Sequence, residues 1–435
     1  MLRTAMFALT ALALVPTAAA AKLSPAEGRM IQTVDSEQGR TLSMLEKWVN
    51  QNSGSLNLGG VTKVGEMLRA ELEPLGFNVQ WVDMRQTGRA GHIVATHKGN
   101  GKGKRLLLIG HLDTVFEPDS SFQRWERRGN EGVGPGAGDD KGGMAVMVAA
   151  LRAMHGSGTL KDADIEVVLT GDEEDNGNPI ELARRDLVAA GQRADAALDF
   201  EGLAQEDGKD MGSIARRSSG AWTVTVTARS GHSSGIFSPG AGNGAIYELA
   251  RIVDQFRLEL PEDKLTFNVG LIGGGATAQL DDGRIRLDAT GKTNIIPATA
   301  IARGDLRALT PEQIARVKQR MQAIVARPLA GATAKIEFDP DEYPPMAPTD
   351  GNRALLAKLN AVNLDMRLEA MGELDPMKRG AGDISFVAKD VDGLIGLGPA
   401  SEGDHAPGEW VDISSIWRQA KRAALLMTRL SRDKR

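Results

Sequence analysis

The sequence predicts an α/β protein, built from a domain with a largely parallel central sheet that is interrupted by a smaller ferredoxin-like α+β unit. Three observations predict it. Short runs rich in Leu, Ile and Val alternate with helical segments in the outer parts of the chain, the pattern of strands covered by helices on both faces. From about 213 to 341 this rhythm gives way to the order β-α-β-β-α-β. A length of 435 residues leaves room for two or three domains.

Residues 1–21, MLRTAMFALTALALVPTAAAA, place Arg3 before an apolar stretch and end in small residues. That is the form of a signal peptide cut after Ala21. Its apolar part stops at Pro16-Thr17, short of the ~20 residues a spanning helix needs. The expectation is therefore export to the periplasm or the medium, with no membrane anchor. The first segment of the outer domain is then 22–212, starting with a helix–loop–helix over 24–76 broken by the polar cluster from Ser53 to Gly60.

Strands are expected at NVQWV, HIVATH and RLLLIG (105–110), followed by a helix over 142–155 with Met144, Met147, Val148, Leu151 and Met154 on one face. Further strands are expected at IEVVLTG (165–171) and AALDF (196–200), and much later at GLIGLG (393–398). In the interrupting unit, TVTVTA (223–228) alternates with period two, as a half-buried strand does. A helix fits 243–258, strands fit 265–272 and 299–306, a helix follows Pro311 over 311–326, and a strand closes the unit at 333–338. The second segment of the outer domain is 342–435.

The net charge of -5 is spread without a basic tract, which excludes a nucleic-acid partner and points to a small molecule. There is no cysteine, so disulfides, thiolate nucleophiles and thiolate metal sites are excluded. Any zinc must be held by His and carboxylate.

Those residue types stand at the ends of the apolar strands. RLLLIG runs into His111 and Asp113, IEVVLTG into Glu173 and Glu174, and AALDF into Glu201, while GLIGLG is followed after a short loop by His405. In open α/β sheets, ligands bind beyond the carboxyl ends of the strands, so these side chains are expected to converge. The glycine-rich GPGAGDDKGG (134–143) adds Asp139 in a tight loop. Two imidazoles and three carboxylates suit zinc at roughly 2.0–2.2 Å, and two ions if one carboxylate bridges. Glu173 and Glu174 are adjacent and cannot both face one atom, so one is free to ligate and the other to accept a proton from water acidified by the metal.

With these motifs, and with SGHSS, TNIIP and GDHAPGEWVDIS, nearly the whole mature chain resembles the dizinc metallopeptidase family of glutamate carboxypeptidase (carboxypeptidase G), acetylornithine deacetylase and succinyl-diaminopimelate desuccinylase. The resemblance implies a catalytic domain interrupted by a lid/dimerisation domain, two zinc ions per subunit and a homodimer. It implies His111, Asp139 and Glu201 as ligands of one zinc, with His405, Asp139 and Glu174 on the other. It also implies Asp113 behind His111, Glu173 as general base, and a cis peptide at Asp139-Asp140.

His232 of SGHSS resembles a histidine that reaches the neighbouring subunit's site to stabilise the oxyanion. Asn294 and Arg307 resemble residues that bind the substrate's terminal carboxylate. For a side-chain carboxylate the resemblance offers Lys209, with Arg216 and Arg217 as alternatives. The implied substrate is a small peptide or N-acyl amino acid with a free carboxylate, and FEG at 200–202 favours a glutamate carboxypeptidase over an N-acyl amino acid deacylase. A non-catalytic peptide-binding protein would have no chemical reason to keep Glu173 beside a full ligand set. His92, His97 and His155 lie outside the motifs and read as ordinary structural or surface residues.

Overall fold

The computed structural model describes residues 23–435, and the expected signal peptide at 1–21 lies outside them. The chain enters through the helix Pro25–Ser36, which starts on a reciprocal capping pair of Ser24 and Glu27 with proline at its first position. Helices Gln38–Val49 and Leu58–Leu72 follow. The expected first helix is thus two, parted at Glu37.

The central sheet has six strands. In spatial order they are Asn78–Asp83, Gly91–His97, Asp164–Thr170, Arg105–His111, Ala196–Asp199 and Gly393–Leu394. The last four are parallel, while Gly91–His97 is antiparallel to both its neighbours. The parallel strands are covered on both faces, which is why Leu106, Leu107, Leu108 and Ile109 are all buried. Burial of each leucine contributes ~1.5–3 kcal/mol. The GLIGLG strand is shorter than its sequence suggests, because Gly396 turns the chain at φ 87°.

The helix Lys141–Ser157 is buried on nearly every side, not on one face. Pro25–Ser36, Gln38–Val49 and the C-terminal helix Ile413–Leu430 pack around it, above the sheet. An all-round apolar helix needs such an environment. Its start presses so closely on the next strand end that a Cβ at Gly143 would lie 2.0 Å from Phe200 O.

The interrupting unit has its own core. Its antiparallel sheet runs Ala332–Phe338, Gly220–Ala228, Thr299–Arg307, with Thr266–Phe267 and Leu271–Gly275 end to end on the last edge. Helices Gly244–Glu259 and Pro311–Val325 bury Trp222, Val224, Val226 and Ala302 with Ile252, Phe256 and Met321. A hairpin, Thr277–Leu280 with Leu287–Thr290, is an addition that the ferredoxin-like reading did not contain. The chain leaves the outer sheet and returns to it side by side, through bridges pairing Arg216 with Met346 and Ser219 with Tyr343. Among the described residues no helix is long and apolar enough to cross a membrane.

Candidate metal centre

Because the strands ending at His111, Thr170 and Asp199 are parallel and adjacent, their carboxyl ends open onto one crevice. There Asp139 turns one oxygen to each of two imidazoles. Its Oδ1 lies 2.9 Å from His111 Nε2 and its Oδ2 lies 3.2 Å from His405 Nε2. His405 Nε2 is also 3.1 Å from Glu174 Oε2. His111, Asp139 and Glu174 offer ligand atoms all within 4.8 Å of one another. The peptide Asp139-Asp140 is cis.

Asp113 is fully buried and organises two neighbours at once. Its Oδ1 stands 3.3 Å from His111 Nδ1 and accepts the backbone N–H of Glu173 at 3.1 Å. Its Oδ2 accepts from the Glu174 N–H at 3.1 Å and from Ser55 Oγ at 2.6 Å. The glycine loop is held in the same manner by Glu409, which accepts from the N–H groups of Gly136, Gly138 and Asp139 at 2.7–3.0 Å. Sequence reasoning gave Glu409 no role, although it lies in the C-terminal motif four residues after His405.

The Glu173 side chain makes no hydrogen bond or ion pair among the described residues. Burial pushes its carboxyl well above the usual range, the charges of Glu201, Asp383 and Glu174 add to this, and His111 opposes it. Burial also raises Glu174 and Asp140, and takes Asp199 up to about 8. Hydrogen bonds to Asp139 and Glu174 lift His405 to about 11. So many acids crowded away from water, with imidazoles turned inward, form a donor set that fits divalent cations.

The other expected residues are outside this close group. Glu201 does not join the close cluster, because its Oε2 is 2.5 Å from Nη1 of buried Arg216, a guanidinium that would be costly to leave unpaired. Lys209 is exposed on a two-residue hairpin strand, opposite Glu206 in the turn QEDGKD, and no contact joins it to the cluster among the described residues. His232 and Asn294 sit side by side in the interrupting unit, exposed, where Asn294 O accepts from Ser233 N–H and His232 Nδ1 bonds Ser234 Oγ. Neither is joined to the cluster within one chain. Arg307 closes its strand, paired at 3.2 Å with Asp305. His92 is structural, with Nε2 on Ala183 O and Nδ1 accepting from Gly171 N–H.

The comparisons agree with this architecture. A family model described as Peptidase family M20/M25/M40 matches residues 107–429. Carboxypeptidase G2 of Pseudomonas sp. (strain RS-16) is 30% identical over 442 residues, covering 99% of this chain and 99% of that protein. Succinyl-diaminopimelate desuccinylase of Leptothrix cholodnii is 24% identical over 394 residues, 86% of this chain and 95% of that protein. Among solved structures, aminopeptidase PepT from Bacillus cereus matches with TM-score 0.72 at 18% identity, covering 90% of this chain and 98% of that one. The Bacillus subtilis YXEP protein, a dinuclear metal binding peptidase, matches with TM-score 0.64 at 14% identity, covering 91% and 99%. At these identities the structural matches speak for the fold.

Proposed function

We propose that this chain, which belongs to peptidase family M20/M25/M40 and is a metal-dependent hydrolase, cuts the amide bond before a C-terminal glutamate. The observation that carries this reading is the Asp139 carboxylate, which faces His111 with one oxygen and His405 with the other. One acid so placed suits two cations better than one. The similarity to carboxypeptidase G2 supports the choice of glutamate.

His111, Asp139 and Glu201 would hold one ion, Glu201 with the oxygen that Arg216 does not engage; His405, Asp139 and Glu174 would hold the other. Two zinc ions bound there supply Lewis acidity toward the substrate carbonyl and acidify the attacking water. Glu173, free of partners, takes the proton from that water and delivers it to the leaving nitrogen. Asp113 fixes the His111 ring and the backbone of Glu173 and Glu174 together.

In this reading the enzyme is a homodimer. His232 from a second copy meets the developing oxyanion, a contact worth about 3–4 kcal/mol, and Asn294 and Arg307 take the terminal carboxylate, which suits the planar guanidinium fork. Residues 1–21 direct export to the periplasm or medium and are removed.

The test is hydrolysis of N-acyl-glutamate against N-acyl derivatives of neutral and basic amino acids, with Glu173→Ala as control. The reading predicts preference for glutamate and a variant that keeps its metal while losing activity. Equal rates on all substrates would return the chain to the general deacylases of the family, and an active Glu173→Ala would remove the base.

A further inference from the structure

The segment from Pro376 to Gly382 crosses beside the cluster and carries Arg379. The Arg379 Nη2 group donates to Gly202 O, next to Glu201, and its Nε is buried with no partner. That contact sets it beside Glu201, and Glu201, Asp199 and Asp139 act on it as opposite charges.

A second guanidinium approaches the same segment from the connection that leads into the interrupting unit. Arg217 donates to Thr266 Oγ1 at 2.5 Å and reaches Met377 O at 3.5 Å, and its Nε is also buried and unpartnered. Arg307 bears on Arg217 as a like charge against the acids Asp305 and Asp375, and Arg216 bears on Arg379 in the same way.

The neighbouring cations have carboxylate partners. Arg216 has Glu201 at 2.5 Å, Arg307 has Asp305 at 3.2 Å, Lys264 has Asp375 at 3.0 Å and Lys378 has Glu206 at 2.8 Å. Among the described residues Arg217 and Arg379 have none within 4.0 Å. Acids lie around both guanidiniums, yet neither holds a carboxylate in an ion pair and each keeps a buried Nε–H unbonded, a gap that an anionic group bound beside them would offset. A carboxylate does so with the geometry that a guanidinium prefers.

We propose that Arg379, with Arg217 against the same segment at Met377, receives a second carboxylate of the substrate, the one on the side chain, in addition to the terminal carboxylate taken by Arg307. The substrate class is then an N-acyl amino acid or peptide whose last residue is acidic. This rests on the amidohydrolase reading above and assigns its side-chain specificity to residues other than Lys209.

The experiment measures kcat/KM of the metal-loaded protein on N-benzoyl-glutamate and on N-benzoyl-glutamine, which differ only in the charge of the side chain. Wild type is expected to prefer glutamate. Arg379→Gln and Arg217→Gln are expected to shrink that preference roughly tenfold or more, Arg379→Lys to shrink it less, and Lys209→Gln, on its exposed hairpin, to leave it unchanged. A variant that is merely damaged lowers both substrates alike and keeps the ratio, so the ratio isolates recognition from folding.

A wild-type preference that survives both glutamine variants overturns the arginine assignment while the hydrolase reading stands. Wild type that cleaves both substrates equally overturns the second carboxylate. Wild type that cleaves neither brings down the hydrolase reading itself.

Discussion

The Tyr343 hydroxyl lies 2.9 Å from the backbone carbonyl oxygen of Glu173 and 2.7 Å from Asn176 Oδ1, and Arg184 Nη2 donates to it at 3.0 Å. Tyr343 lies on the connection by which the chain returns from the interrupting unit, bridged to Ser219. The loop bearing the proposed base is therefore tied to the connection between the two sheets. Tyr343→Phe should lower kcat roughly tenfold with KM little changed, since a small misplacement of the base costs rate before binding. Unfolding stability should fall by only ~0.5–1.5 kcal/mol. Steady-state kinetics with thermal melts check this, and an unchanged kcat would separate the tyrosine from the base.

Asp113 joins the ligand His111 to the Glu173–Glu174 backbone. Asp113→Ala should weaken metal binding by about 10–100-fold, the usual cost of removing the group behind a ligating histidine. Calorimetric titration of the metal-stripped protein measures it. Unaltered affinity would leave Asp113 as an ordinary loop brace.

Arg184 is fully buried, with Nη1 on Asp172 Oδ1 at 2.6 Å and Nε on Asp383 Oδ1 at 2.7 Å. Arg184→Ala strands two buried carboxylates and should cost about 3–5 kcal/mol. Arg184→Lys should recover little, since an ammonium cannot span the fork. Urea unfolding of both variants is the check, and a loss under about 1 kcal/mol would mean that the pocket rehydrates.

Asp210, outside the centre, contributes to the pH dependence of stability. Burial would raise the Asp210 carboxyl, but the hydrogen bond from Gln205 and the charges of Arg422 and Arg418 outweigh it and hold it below the ordinary 3.8. A depressed folded-state pKa means stability that is fully present above the unfolded value and is lost as pH falls through the folded one. Asp210→Asn should be less stable at neutral pH and flatter in acid. Melting temperatures from pH 7 downward test it; parallel curves for the two proteins would contradict it.

What the sequence disclosed follows from how local each signal is. Arg105–His111 and Asp164–Thr170 were legible because strands covered on both faces are unbroken apolar runs. The interrupting unit was legible because period two and period 3.6 alternate cleanly there. The hairpin at 277–290 is less legible, because its two four-residue strands around a DDGR turn lie between two larger elements. Arg184 and Arg379 were out of reach, since an arginine in a polar stretch looks solvated until distant segments close over it. Lys209 stands on a short hairpin whose exposure the sequence pattern alone does not show.

Metal stoichiometry of purified variants tests the central claim most directly. With Asp139 shared between His111 and His405, elemental analysis after metal loading should find about two divalent cations per wild-type chain, about one in His405→Ala and nearly none in Asp139→Ala. Two cations retained by Asp139→Ala, or none bound by wild type under any loading, would contradict it.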